Sequence, residues 1–487
     1  MALLQALRIV APEELLSVAG LILLLVAAWA GDKASRTISI LCVAVLAGAS
    51  AILIPALNSG AMGPDTSAFF GQYRADAFAA FAKLLIYLSA AVALIVAPPF
   101  FDRFRAMRAE YPLLILFAAL GMGMMVSATD LITLYIGLEL NSLAAYVLAS
   151  FLRADGRSAE AGLKYFVLGA LASGILLYGT SLSYGFTGTT NFAGIHAALA
   201  HGVGTGALFG IVFMLAGLAF KISAAPFHMW TPDVYEGAPT PVTTFFATAP
   251  KVAAMALTMR VAFAAFGGQV AVWQQIVTFA ALLSIVVGAL GAIGQTNIKR
   301  LMAYSSINNV GFILIGLAAA TQAGAAAMLV YLAIYVAMTV GGFVAVLLMR
   351  DADGEPVEDI AALAGLSRTR PGLALALAMV MFSLAGIPPL FGFWGKFVVF
   401  QAAVAAHLVP LAAVGIAASV IGAFYYIKIV RIMYFDEPAG RITGKGDASH
   451  SVILAASALA ISPLGYLATR WLGALAAGAA ASLFHPL

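Results

Sequence analysis

The sequence has 487 residues, 63% of them hydrophobic and 9% charged, with a formal net charge of +4 and a mean hydropathy of +1.02. Soluble domains are about 25% charged, so the composition excludes that class and defines a polytopic membrane protein. Backbone polar groups in lipid must be paired within the segment, and alternating strands of about ten residues are absent, so the fold is all-α and not a β-barrel. The single cysteine, Cys42, excludes an internal disulfide and a Cys-ligated iron–sulfur or zinc site in this chain. The histidines, His196, His201, His228, His407, His450 and His485, show no paired spacing, and no glycine-rich phosphate loop follows a strand. No redox or nucleotide centre is expected here, and no nucleic acid partner.

A span needs about 20 mostly apolar residues. Fourteen stretches qualify, at roughly 13–30, 38–57, 76–97, 112–129, 131–152, 161–183, 205–226, 240–265, 271–294, 299–320, 325–349, 373–403 (interrupted), 408–430 and 451–472. With the N-terminus outside, the inner loops carry Lys33, Arg36, Arg103, Arg105, Arg108, Arg153, Arg157, Lys299, Arg300, Arg350, Arg368, Arg370, Lys428, Arg431, Arg441 and Lys445. The outer segments carry only Arg8, Arg74, Arg260 and Arg470. Basic residues gather on the cytoplasmic side, so both termini are predicted to face the periplasm.

In chain order, the first span has two readings. Arg8, an apolar core and Ala28-Trp29-Ala30 resemble a signal peptide, but Glu13 and Glu14 stand where such a peptide prefers positive charge. Lys83 in the third span either snorkels to an interface, pairs with Asp76, or has a functional role. Glu139 lies near the middle of the fifth span, followed by Asn141 and Ser142, and is the one clearly deep carboxylate. Lys164 opens the sixth span, where snorkelling and function are both open. Lys221 closes the seventh, just before Pro226. His228 follows as a proton relay or a histidine satisfied by a backbone carbonyl. Lys251 lies mid-span in the eighth. Lys396 follows a glycine in GIPPLFGFWGKFVVF, in the twelfth. Lys428 and Arg431 in the thirteenth read as interfacial, contacting a peripheral subunit or anionic lipid.

The five basic residues outside the loop tally, Lys83, Lys164, Lys221, Lys251 and Lys396, are all lysines. Arginine stays charged, whereas a buried lysine can lose its proton. Both LAFKISAAPFHMW and FSLAGIPPLFGFWGKF place a proline-glycine type of break beside a lysine. Paired interrupted spans point to a transport site built from inverted repeats, where freed carbonyls stabilise a mobile charge. The residues therefore read as a chain of buried groups that moves protons or sodium ions. The chain has no energy source of its own, so it must couple to an ion gradient or to a partner.

KISAAPFHMWTPDVYEGAPTPVT, the helix with Lys251, NIKRLMAYSSINNVGF and GIPPLFGFWGKF together resemble the antiporter-like subunits of complex I and the related Mrp-type sodium/proton antiporters. KYFVLGALASGILLYGTSLSYGFTG, FWGKFVVFQAAV and YYIKIVRIMYFDEP narrow the resemblance to one branch, the bacterial counterparts of mitochondrial chain 2. The resemblance is weakest before about residue 75 and after 445. It implies fourteen helices with two inverted five-helix repeats and interrupted helices 7 and 12. The implied division is helices 1–3 in 1–111, a first repeat in 112–265, a second in 271–435, and a C-terminal loop and helix in 436–487. It implies that Glu139, Lys221, Lys251 and Lys396 transfer protons, with Lys164 and His228 as lesser candidates. It implies a bacterial inner-membrane location, with other membrane subunits of complex I, antiporter-like ones included, as partners beside the lipid bilayer. NADH, FMN, iron–sulfur clusters and quinone would lie in those partners, with no cofactor or metal in this chain. The alternatives are an Mrp-type cation/proton antiporter subunit and a membrane scaffold with inert lysines.

Overall fold

The computed structural model describes residues 2–58, 67–200 and 202–484, so His201 and His485 lie outside the described residues. Long apolar runs fold as helices because lipid offers the backbone no other partner. In chain order they are α1 (Ala2–Ile9), α2 (Ala11–Ala30), α3 (Ser35–Asn58), α4 (Ala77–Phe101), α5 (Glu110–Ser127), α6 (Leu131–Ala149), α7 (Gly156–Thr187), α8 (Phe192–Leu199), α9 (Thr205–Ile222), α10 (Trp230–Gly237), α11 (Thr240–Phe246) and α12 (Ala249–Arg260). The second half continues with α13 (Val270–Ile293), α14 (Ile298–Ala318), α15 (Gln322–Leu347), α16 (Leu366–Thr369), α17 (Pro371–Ala385), α18 (Phe391–Ala405), α19 (Val409–Phe435), α20 (Ala448–Ile461) and α21 (Thr469–Leu483). A two-stranded antiparallel ribbon, β1 (Ser67–Ala68) with β2 (Tyr73–Arg74), lies between α3 and α4.

Short polar residues mark where several helices start. Asp76, Asp130, Asp155 and Asn297 each accept a hydrogen bond from the first turn of α4, α6, α7 and α14, satisfying donors that a helix leaves free. Close approach of helices uses small residues, as expected where lipid removes the hydrophobic drive for association. A Cβ on Gly121 of α5 would lie 2.7 Å from the Gly137 carbonyl of α6, and one on Gly137 would lie 2.8 Å from the Gly121 carbonyl. Leu21, Leu25, Leu163, Phe166 and Val420 stand exposed on α2, α7 and α19, where hydrocarbon would meet them. By contrast α14, α15 and the segment 240–265 are almost wholly buried. They form the centre of the bundle, so the polar residues of α14 face other helices rather than lipid.

Among the described residues, eleven segments are long and apolar enough to span a bilayer, or twelve with the pair α20 and α21, which is bent by 63°. The expected fourteen differ at identifiable places. Ala11–Leu57 is one apolar segment holding α2 and α3, joined by a four-residue turn. The expected span 373–403 is two helices of 15 residues each, and neither alone is long enough to cross. The eighth span is also interrupted, between α11 and α12, where Pro250 stands at the start of α12 and cannot donate to the preceding turn.

The loops assigned inward by their basic residues meet at one end of the molecule. Asp32 pairs with Arg108 and Arg36 with Asp102. Asp447 binds Arg103 and Arg350, both at 2.8 Å. Arg157 reaches Glu358 at 2.7 Å. At the opposite end, Tyr73 bridges to Ala128 and Asp130 to Asn191.

Candidate functional site

The first break lies between α9 and α10. Ser223 caps α9 in the left-handed conformation, with φ 62°, and the bond between Ala225 and Pro226 is cis. A helix end leaves carbonyls short of helical partners, and two in the last turn of α9 accept from specific side chains, the Phe220 carbonyl in addition to the Ser223 N–H. The Trp230 indole, at the start of α10, donates to the Phe220 carbonyl at 3.0 Å. Lys251, in the first turn of α12, donates to the Ile222 carbonyl at 3.0 Å. Lys251 is 2% exposed, and its ammonium lies 5.8 Å from the Trp230 ring and 5.9 Å from the Tyr235 ring. Its charge therefore meets the negative end of the α9 dipole and two aromatic faces, with no carboxylate among its contacts.

Lys221, one residue before that carbonyl, points the other way. It donates to the Ser142 hydroxyl of α6 at 2.8 Å and lies 5.9 Å from the Tyr146 ring. Glu139, one turn before Ser142, is the charge that acts on Lys221 electrostatically. The two do not form an ion pair, and Oε1 of Glu139 is buried without a hydrogen-bond partner among the described residues. Ser142 thus holds Lys221 beside Glu139 rather than on it.

The second break lies between α17 and α18. Gly386 takes the left-handed cap position with φ 82°, and the bond between Pro388 and Pro389 is cis. Lys396 of α18 donates to the carbonyl of Ala385, the last residue of α17, at 3.0 Å and to the Ser419 hydroxyl of α19 at 3.3 Å. Its ammonium stands 4.4 Å from the centre of the Phe312 ring. A Cβ on Gly386 would lie 2.8 Å from Cδ of Lys396, so glycine serves both the backbone conformation and the lysine's path.

Between the two breaks, α14 supplies a run of polar side chains. Ser306 faces Tyr235 and bonds the Tyr335 hydroxyl at 2.8 Å. Ser305 bonds the Tyr426 hydroxyl at 2.5 Å. Asn309 donates to the Ser305 carbonyl at 2.8 Å and accepts from the Tyr331 hydroxyl at 2.7 Å. The Tyr331 ring packs against Gly395, the neighbour of Lys396. Hydroxyl and amide groups therefore follow one another from the ring beneath Lys251 to the residue before Lys396. The sequence offered one signal for this run, Ser305-Ser306-Ile307-Asn308-Asn309 inside a span. The tyrosines come from three other helices and had none.

Several expectations need correction. Asp76 does not pair with Lys83. It receives both terminal nitrogens of Arg260, at 2.9 and 2.8 Å, and Arg260, expected in an outer segment, is 1% exposed. Lys83 instead binds Glu13 at 2.6 Å and the Tyr73 hydroxyl at 2.6 Å. Glu13, Asp76 and Asp130, at 6%, 2% and 2% exposure, are the most buried carboxylates among the described residues, while Glu139, midway along α6, is half-buried. α2 belongs to the bundle through Glu13, Leu16 and Gly20, the last against the Phe117 ring. Lys299, expected in an inner loop, is also buried. Lys164 stays outside the central run, 40% exposed and bound to Glu160 and Asp233 at 2.7 Å each. His228 is half-buried in the first break, with Nδ1 lacking a hydrogen-bond partner among the described residues.

A bundle of apolar helices with two broken spans, each with a lysine bound to the carbonyl at its break, defines a class that is also recognisable by comparison. The family model described as NADH:quinone oxidoreductase/Mrp antiporter matches residues 128–422, a stretch that holds Glu139, Lys221, Lys251 and Lys396, and the chain belongs to this family. Within it the relatives are specific. The chain is 67% identical to the NADH-quinone oxidoreductase subunit N of Erythrobacter litoralis, over 99% of both proteins. It is also similar to a chain of respiratory complex I from Thermus thermophilus, with 34% identity, a TM-score of 0.81, and coverage of 96% of this chain and 99% of that one. A chain of the Mrp complex from Dietzia sp. shares the fold, with a TM-score of 0.83 at 24% identity and coverage of 98% of both chains.

Proposed function

We propose that this chain is the subunit N of a bacterial NADH–quinone oxidoreductase and translocates protons through its buried lysines. The observation that carries the reading is the position of Lys251. Its ammonium sits on the Ile222 carbonyl, at the break that Lys221 closes, so a change in charge at either lysine is felt by the other through one helix end.

In this reading Glu139 and Lys221 form the switch. When Lys221 moves from Ser142 toward Glu139, its field at Lys251 weakens and Lys251 holds a proton. When it moves back, the cation drives the proton onward. The proton then passes along Ser306, Tyr335, Ser305, Tyr426, Asn309 and Tyr331 to Lys396. Lys396 releases it toward the periplasm. The helices of 112–265 and 271–435 act as two inverted repeats, each contributing one break. Lys164 stabilises the inner surface rather than the relay, and His228 is a polar group of the first break. NADH, FMN, iron–sulfur clusters and quinone belong to partner subunits, whose redox chemistry triggers the switch. The chain sits in the inner membrane with both termini periplasmic and with other antiporter-like subunits as neighbours.

A free-standing Mrp-type antiporter is less well supported, because the relatives that span the whole chain at high identity are subunits N. The test is the Lys221→Ala variant in native membranes, with assembly of the complex checked first. NADH-driven quinone reduction and proton translocation are expected to fall together. Normal values of both, in an intact complex, would reduce Lys221 to an anchor.

A further inference from the structure

Lys299 is a buried lysine that the relay above does not use. It is 2% exposed at the start of α14. Its ammonium donates to the Ala238 carbonyl at 2.7 Å and lies 3.1 Å from Oε1 of Glu358. Ala238 caps the C-terminal end of α10, the second half of the first broken span. Lys299 therefore repeats the arrangement of Lys251 on Ile222 and Lys396 on Ala385: an amine on a carbonyl at the end of a broken-span helix.

Lys299 also lies at a cavity. A cavity of about 1130 Å³ opens at the end of the molecule where the basic loops meet, and Lys299, Ala238, Thr240, Arg157 and Glu358 line it. From there a row of hydroxyls leads inward along α11. Thr244 donates to the Thr240 carbonyl at 2.9 Å and Thr248 to the Thr244 carbonyl at 2.7 Å. Thr243 donates to the carbonyls of Ala238, at 3.3 Å, and Tyr235, at 3.1 Å. All four threonines are buried. Thr248 caps α12, whose first turn contains Lys251.

We propose that this cavity is the aqueous vestibule on the cytoplasmic side and that Lys299 exchanges protons between it and Lys251. This rests on the proton-translocating reading given above. The ammonium of Lys299 passes its proton inward past the threonine hydroxyls to the neutral amine of Lys251. The neutral amine left at Lys299 then takes a proton from vestibule water and returns to the ion pair with Glu358. Glu358 remains a carboxylate throughout, because Arg157 still binds it at 2.7 Å and Asn297 at 3.1 Å when Lys299 is neutral. With Lys299 as the ammonium, burial pushes the Glu358 carboxyl up, but Lys299 and Arg157 together hold it down at about 2.

The discriminating variant is Lys299→Arg, studied in the assembled complex in everted inner-membrane vesicles. Arginine keeps the charge for Glu358 and a donor for Ala238 but does not give up its proton. A purely structural Lys299 would tolerate it. The expected result is a fall in NADH-driven proton translocation of at least ~10-fold, below the ~100-fold or more that a positioned proton-transfer group typically contributes. Wild-type translocation in Lys299→Arg would overturn proton exchange at Lys299. Lys251→Met, measured in parallel, separates the two readings: if it too translocates normally, the relay itself falls. Hydration is tested independently of activity with Thr244→Cys. Replacing the buried Cys42 by alanine leaves this as the chain's one thiol. A small impermeant methanethiosulfonate added to the cytoplasmic face should label it in the folded complex, and failure to label would overturn the vestibule.

Discussion

The two breaks solve the same problem with different helices. In each, a left-handed residue ends a helix and leaves a terminal carbonyl facing inward. At the first break that residue is Ser223 and the amine comes from another span, Lys251 of α12. At the second it is Gly386 and the amine comes from the same span, Lys396 of α18. The first break also carries its own lysine, Lys221, directly before the carbonyl, whereas Leu384 stands before Ala385 in the second. The first break can therefore set two positive charges against each other, and the second cannot. A helix end that faces one lysine is a site for a proton; a helix end between two lysines can also expel one. In the proposed relay the first break is where charge is driven and the second is where it is passed on.

The largest expected effect follows from that asymmetry. Lys251→Met should lower proton translocation by at least ~10-fold while the complex still assembles, measured as protons moved per NADH oxidised. Lys396→Met should lower it too, but leave more of the quinone reductase rate, since it lies downstream of the switch. Equal losses of both rates in the two variants would erase the distinction between the breaks.

The caps should respond unequally. Gly386→Ser puts a side chain at φ 82° and a Cβ 2.8 Å from Lys396, which should cost about 1–3 kcal/mol and reduce assembly on native gels. Ser223→Gly relieves a non-glycine residue at φ 62° worth about 1–2 kcal/mol. It also removes the Ser223 hydroxyl that accepts from Thr231 at 2.7 Å, a loss of about 1 kcal/mol. Thermal stability of that variant should therefore change little. A large loss would show that the hydroxyl, not the backbone, fixes the first break.

Ser142→Ala tests what holds Lys221 away from Glu139. The hydroxyl is the hydrogen-bond partner of Lys221, and its removal should favour a direct approach to Glu139. Proton translocation should fall by a few-fold, with quinone reduction less affected. No change would mean that Ser142 does not set the position of the switch.

The smallest effect concerns pH and the inner end of the molecule. Glu358, at about 2 against the usual 4.5, stabilises the folded chain fully above about 4.5, and that contribution fades as pH falls toward 2. Glu358→Gln should flatten the acid limb of a thermal-stability profile. An unchanged profile would show that Lys299 and Arg157 find other partners.

The sequence by itself determined that this is a helical membrane protein, where most of its helices lie, and that Lys251 and Lys396 are buried beside helix breaks. Hydropathy and proline are local signals, and lipid makes them decisive because it supplies no alternative hydrogen-bond partner. The same locality explains the failures. Asp76 stood as one of several readings for Lys83, but the bundle brought Arg260 to Asp76 from a distant helix and gave Lys83 to Glu13. Glu139 was placed mid-span by the sequence, but its half-burial depends on what packs outside the helix, and α6 is less enclosed than α14. Lys299 was counted with the basic residues of the inner loops, whereas it is buried against the cap carbonyl of α10. Which carbonyl each lysine meets, and which tyrosines join one lysine to the next, were settled only by tertiary structure. A buried charge takes whichever partner the packing of other helices presents, and no spacing along one chain segment records that choice.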